Sequence, residues 1–271
     1  MHRDLWRLRG QLLSIALAVA CGVATVVSLG STYAAIEAAG ERFYREHRFA
    51  DVFVSLARAP SSLVSRIEAI PGVAAAEGRV VQEVMLDVPR LDEPATGRLI
   101  SFPDGGAPRL NLPYLRRGRP LAPGARNEVL LGERFAEVNG LGIGDTLGAV
   151  INGRHERLRI VGIVLSPEYV LEATREQIFM DNRRFAVLWM SQAALGGAYG
   201  MEHAFNDLAL ALAPGAREAE VIAEVDGVLA PYGGLGAYGR SEHGSHRILA
   251  NQLEQSRVSC TLVPALFLAI A

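Results

Sequence analysis

The amino-acid sequence predicts an α+β fold anchored in a membrane, and three observations carry that prediction. From Gly10 to Ile36 there are 27 consecutive residues without a charge, and a helix needs only about 20 apolar residues to cross the hydrocarbon core. Two strand-helix-strand patterns flank the middle of the chain, at residues 50–95 and 201–240. Between them, residues 96–200 alternate apolar and polar at strand period, punctuated by Gly and Asn.

The first apolar run exceeds the roughly 7–15 residues of a signal-peptide core, so it reads as a permanent span. Its "AVAC", ending at Cys21, looks like a lipoprotein cleavage box with Ala18 where Leu is usual. The chain stays apolar to Ile36, however, whereas a lipoprotein turns polar. His2, Arg3, Arg7 and Arg9 precede the run with only Asp4 opposing, which places the N-terminus in the cytoplasm and residues 37–256 outside the plasma membrane. "EAAGERFYREHRF" then carries the helix outward as a stalk, so that residues 1–49 comprise tail, span and stalk.

"ADVFVSLA" alternates as a half-buried strand. Pro60 and Ser61 open a helix with Leu63, Ile67 and Ile70 on one face, and Pro71 and Gly72 close it. "AAAEGRVVQEVMLDV" returns as strand. Near the other end, Phe205 to Tyr238 repeats this grammar. A strand and a Pro214–Gly215 turn lead into a helix with Val221, Ile222, Val225, Val228 and Leu229 apolar. Each unit has an Asp at its strand head, Asp51 and Asp207, and together they predict one α+β sandwich.

The β-rich insertion, residues 96–200, carries a short helix at Glu133 to Val138 and a hairpin turned at Asn152-Gly153, the residue pair of a type I′ turn. Residues 241–271 read as a helix leading into a second span. "VSCTLVPALFLAIA" after Arg257 is 14 uncharged residues, too short to cross alone and without a stop signal, so it is expected to be a span cut short.

Composition excludes several functions. Hydrophobic residues at 50% with 21% charged fit one sizeable domain between apolar segments, and a net charge of -2 disfavours nucleic acid. All 27 basic residues are Arg, so the chain can form neither a P-loop nor a Schiff base. No G-x-S-x-G elbow occurs, and no residue is assigned a catalytic, cofactor or metal role. Both cysteines, Cys21 and Cys260, lie in the apolar runs, leaving the middle without a disulfide.

The order of span, stalk, strand-helix-strand and then "EVLLGERFAEVNGLGIGDTLGAVINGRHERLRIVGIV" resembles the extracytoplasmic core domain of MacB/FtsX-like ABC transporter permeases. Glu133, Phe135, Ala136, Gly140, Leu141, Gly144, Asp145, Leu147 and Ile160 to Ile163 match the block that marks the inserted subdomain in that family. "RDLWRLRGQ", "SPEYV", "RRFAVLWM" and "SHRILANQLEQ" look like large permeases in which this half is repeated. The resemblance implies a non-enzymatic permease driven by a separate ABC ATPase subunit. It also implies a second permease half or homodimer, a periplasmic adaptor and contact with membrane lipids. The alternative is a singly anchored extracytoplasmic binding or adaptor protein.

The remaining chemical candidates each have a plainer explanation. Glu242, His243 and His246 in "EHGSH" could ligate zinc but lack a local third His or Cys, so Ser241 as an N-cap with solvated histidines is expected instead. "GLGIGD" is expected to be a tight turn, and Arg116, Arg117 and Arg119 a solvated basic loop. Trp189 and Met190 are expected in the core.

Overall fold

No proline interrupts the first helix, α1, which runs unbroken over Arg9–Glu46, 38 residues or about 57 Å at 1.5 Å per residue. The computed structural model describes residues 9–89, 91–169 and 183–244. Among these, no helix is long and apolar enough to cross a membrane, so the first span rests on the sequence. The second apolar run lies outside the described residues. Two units divide the chain, one of residues 1–43 and 248–271 and the other of residues 44–247.

The second unit contains β1 (Val52–Pro60), α2 (Leu63–Glu68), β2 (Val73–Arg79), β3 (Val81–Asp87), β4 (Ala95–Phe102) and β5 (Tyr114–Gly118). There follow β6 (Glu128–Gly132), α3 (Glu133–Asn139), β7 (Thr146–Ile151), β8 (Arg154–Leu165), β9 (Phe185–Ser191) and α4 (Gln192–Tyr199). Last come β10 (Ala204–Leu212), α5 (Glu218–Leu229) and the two-residue β11 (Tyr238–Gly239).

A four-stranded antiparallel sheet has the order β11-β1-β10-β2. Each strand-helix-strand unit thus leaves a gap that a strand of the other fills, the interleaving of a split βαβ fold. The apolar faces of α2 and α5 meet one side of this sheet. Leu63 and Ile67 from α2 and Val221, Val225 and Leu229 from α5 share a core with Val52, Val54, Leu208 and Leu210.

The other strands form a sheet in the order β5-β8-β6-β9-β4-β3-β7, and β7 also pairs with β8. That last pairing closes six strands into a barrel, with β5 attached along β8. Twelve-residue β8 makes closure possible, because its first half pairs β7 and its second half pairs β6. Phe135, Leu147, Leu158 and Leu188 fill one side of the wall. Ile100, Val161, Val187 and Trp189 pack in a second layer on the other. With both faces covered, every residue of β9 is buried, hence the unbroken apolar run "FAVLWM" before Ser191. Trp189 and Met190 are therefore core residues, on opposite faces of one strand.

Two stretches depart from the sequence expectation. "AAAEGRVVQEVMLDV" is two strands rather than one, since β2 belongs to the four-stranded sheet and β3 to the barrel. The break at Val80 has a cause in hydrogen bonding. Val80 N–H donates to Ser101 Oγ at 2.9 Å, while the Asn206 amide holds both the N–H and the C=O of Val81, each at 2.8 Å. Residue alternation continues through the break, so periodicity alone does not reveal the change of sheet. The second departure is "YLRRGRP", whose first five residues are strand β5 rather than loop. Arg116 pairs with Glu133, and Arg119 with Glu128.

Helix α4 was not anticipated, although its signals are readable: Ser191 Oγ caps Ala194 N–H, and Gly200 ends the helix at φ 64°. The Asn152-Gly153 turn has φ of 45° and 75°, both positive as type I′ requires. Gly153→Ala puts a Cβ in that left-handed backbone and is expected to cost about 1–2 kcal/mol, measurable as a lower urea midpoint with an unchanged m-value.

Candidate functional site

Three stretches far apart in sequence converge on one buried carboxylate, Glu168, in the segment after β8. Arg79, the last residue of β2, reaches it with both terminal nitrogens, Nη1 to Oε2 at 2.5 Å and Nη2 to Oε1 at 3.0 Å. The same guanidinium holds Asp207 of β10 through Nε at 2.8 Å and Nη2 at 2.5 Å. Asn111 Nδ2 donates to Glu168 Oε2 at 2.9 Å, and Asn111 Oδ1 accepts from Ala50 N–H at 2.8 Å. His243 brings Nε2 to 3.8 Å from Glu168 Oε1. A cleft of about 210 Å³ borders this junction, with Arg98, Tyr169 and Tyr238 in its wall.

The junction gathers both ends of the domain. After α1, Arg48 turns the chain with φ 49°, and its C=O and that of His47 accept from Asn111 and Leu112 N–H, both at 2.9 Å. The outgoing chain returns as Arg240, whose side chain donates to Phe49 O at 2.6 Å, Ala50 O at 2.9 Å and Asp51 Oδ1 at 2.6 Å. Its guanidinium also stands 4.8 Å from the Phe49 ring centre. The other Asp51 oxygen accepts from Leu212 N–H at 2.8 Å. The two aspartates have parallel tasks, although Asp207 lies inside β10 rather than at its head: Asp51 ties entry to exit, and Asp207 ties one sheet to the crossover into the other.

Charge in this site is constrained by burial. Desolvation pulls against the charged form of Arg79, but Asp207 and then Glu168 more than offset it and keep the guanidinium ionised. Burial also opposes ionisation of Glu168, yet Arg79 and next His243 hold its carboxyl well below the usual carboxylate range. Asp207 goes the other way, raised first by burial and further by Glu168, with Arg79 only partly compensating. Two carboxylates thus share one cation unequally. Glu168 has the two-point grip of Arg79 and the Asn111 amide, whereas Asp207 engages through one oxygen. Burial likewise keeps the Tyr169 phenol protonated, helped by the Glu168 charge.

Of the residues considered as zinc ligands, Glu242 is exposed and His243 is buried at 7% exposure, packed 4.7 Å from the Phe53 ring rather than solvated. His246 lies outside the described residues. Ser241 sits within a 3-10 turn over Arg240–Glu242 that follows Gly239. Among the described residues, no three His, Cys, Asp or Glu side chains are grouped to hold a metal. Arg79, Asn111, Glu168 and Arg240 were not singled out by their sequence context. Glu168 lies 89 residues from Arg79 and 57 from Asn111, and no local spacing encodes such partners.

Residues 13–228 match the family described as the MacB-like periplasmic core domain. The chain belongs to that family. Among solved structures, this MacB-like chain is similar to the periplasmic region of MacB from Actinobacillus actinomycetemcomitans, with 10% identity and a TM-score of 0.43 over 78% of this chain and 95% of that one. It is also similar to the extracellular domain of the noncanonic ABC-type transporter YknZ from Gram-positive bacteria, with 10% identity and a TM-score of 0.43 over 70% and 98%. A domain of a putative permease protein from Porphyromonas gingivalis gives 13% identity and a TM-score of 0.39 over 69% and 84%. No curated protein matches the sequence significantly.

Proposed function

We propose that this chain is a permease subunit of a MacB/FtsX-type ABC transporter, in which a separate ATPase chain moves the extracytoplasmic domain to export or extract a substrate. Residues 10–36 cross the plasma membrane in contact with lipid, the N-terminus is cytoplasmic and residues 37–256 lie outside. The domain works beside a second permease half or a second copy, and with a periplasmic adaptor. The observation that carries the proposal is the convergence of the incoming chain at Ala50 through Asn111, the outgoing chain at His243 and the four-stranded sheet at Arg79 on one buried group, Glu168, which follows the barrel strand β8. A displacement of either end is delivered to both sheets through side chains with little freedom to yield. The absence of lysine from the chain leaves ATP hydrolysis to the partner.

The first test is capture of the tagged full chain from crosslinked membranes of its own host. An ATPase with a P-loop lysine is expected among the captured proteins, and repeated capture without one favours the singly anchored adaptor. In the assembled complex, Glu168→Gln is expected to leave ATP turnover in place while lowering transport about tenfold, the scale of a typical coupling energy. Unchanged transport per ATP would remove the junction from the mechanism.

A further inference from the structure

Among the described residues, β5 in the barrel and β2 in the four-stranded sheet each have one side that no strand pairs. Such an edge offers its N–H and C=O groups to any other strand, and proteins blunt it with charge, proline or a bulge. β5 has two of these devices, arginines at 116 and 117 and a shift of register between Leu115 and Arg117. β2 is irregular only at its start, opposite Leu212, and its centre carries Ala75, Ala76 and Gly78, too small to stand in the way of a second strand. Ala76 turns its polar groups away from β10, and two side chains take them. Its N–H donates to Glu68 Oε1 at 3.1 Å. Arg109 Nη1 lies 3.5 Å from its C=O while donating to that same Glu68 oxygen at 2.5 Å. Glu68 ends α2, and Arg109 comes from the segment between β4 and β5. That segment is pinned beside β2: Leu110 N–H donates to Glu77 Oε2 at 2.8 Å, and Asn111 and Leu112 N–H bond the Arg48 and His47 carbonyls. Little extra ordering is then needed for Arg109 to reach the edge. Ala76 is 1% exposed in consequence, although it lies on an outer strand. An ion pair whose side chains are 57% and 31% exposed adds little to stability, so stability does not account for its placement.

We propose that Glu68 and Arg109 form a clasp that shuts the outer edge of β2 against strand addition by a second copy of this chain. A second copy is the occupant to exclude because the strand fits itself. Antiparallel pairing of two β2 strands centred on Ala76 sets Glu77 opposite Ala75 and Arg79 opposite Val73 of the second copy, so no like charges stand face to face. Such pairing begins from the N–H and C=O of Ala76, the two groups that the clasp occupies. The inference is independent of the junction and narrows the proposal above: a second permease copy is left to dock on another surface of the domain.

The experiment follows hydrogen exchange at the Ala76 amide, and the protein mass after subtraction of detergent, over a range of concentrations of the full chain in mild detergent. It compares the wild type with the double variant Glu68→Ala/Arg109→Ala and with Arg217→Ala, a control that removes an exposed ion pair elsewhere. Wild type and control are expected to protect the amide equally at every concentration. In the double variant the amide is expected to exchange about tenfold faster when dilute, the scale of losing a hydrogen bond to a charged acceptor. As the concentration rises, its protection should return while the protein mass doubles. Unchanged exchange, or faster exchange with neither recovery nor doubling, overturns the clasp. Circular dichroism checks that the double variant is folded. If it is not, Arg109→Ala alone decides: it bares the Ala76 carbonyl, so its mass should rise at concentrations where the wild type's is constant, and a mass that matches the wild type throughout overturns the clasp.

Discussion

Arg79→Met is expected to destabilise the domain by about 3–5 kcal/mol, because it strands Glu168 and Asp207 in a buried site without their cation. For a domain of this size that corresponds to a fall of about 10 °C or more in Tm. The methionine stem occupies much of the volume of the arginine stem, so packing loss contributes little and the deficit is electrostatic. Adding Glu168→Gln and Asp207→Asn to Arg79→Met should return a large part of the loss, since uncharged amides need no cation. If the triple variant is as unstable as Arg79→Met alone, the loss lies in packing and the charge argument fails.

The same pairing fixes the direction of acid sensitivity. Glu168 is held below its ordinary range when folded, so it contributes stability above about pH 4.3, the unfolded value for Glu, and that contribution is lost as pH falls further. Asp207, raised by burial, acts in the opposite sense: its cost appears as pH rises above its unfolded value. Wild type should therefore lose stability steeply below pH 4, and Arg79→Met, in which Glu168 has lost its guanidinium, should do so less. Urea midpoints measured between pH 3 and pH 7 distinguish the two slopes.

Much of the fold was legible because it is written in local patterns. The helix at Leu63–Glu68, the turn at Asn152-Gly153 and the apolar stripe Val221, Val225 and Leu229 follow from spacing and turn chemistry, although Pro60, expected to open the first helix, ends strand β1 instead. The exchange of sheets at Val80 was not legible, because it depends on Ser101 and Asn206 supplying hydrogen bonds from other strands. Closure of the barrel was hidden for a similar reason. It needs the two halves of β8 to choose different partners, and each half reads simply as strand. The junction was least legible of all. Asp51 and Asp207 stood out by their matching positions, but Glu168 in "SPEYV" and Arg79 in "EGRVV" have unremarkable neighbours. What makes them a site is burial together, and tertiary placement alone decides that.

Phe135→Ala tests whether the two cores of this domain behave as one body. Phe135 is fully buried and projects from α3 into the barrel core, beside residues such as Leu147 and Leu188. Truncating a buried phenylalanine costs about 3–5 kcal/mol in lost burial and residual cavity. The four-stranded sheet has a separate core, so a loss confined to the barrel would leave that sheet standing and split unfolding into two transitions. The clamps argue otherwise: Asn206 holds Val81 from both sides, and Arg79 binds the carboxylates of Asp207 and Glu168 at the crossover. Phe135→Ala is therefore expected to lower Tm while fluorescence of Trp189, in the barrel, and circular dichroism of the whole domain still report one coincident transition. Combining it with Arg79→Met, which removes one clamp, should separate the two signals. Separation in Phe135→Ala alone would mean that the sheets are only loosely joined, and a domain so jointed would absorb a displacement of its ends rather than transmit it.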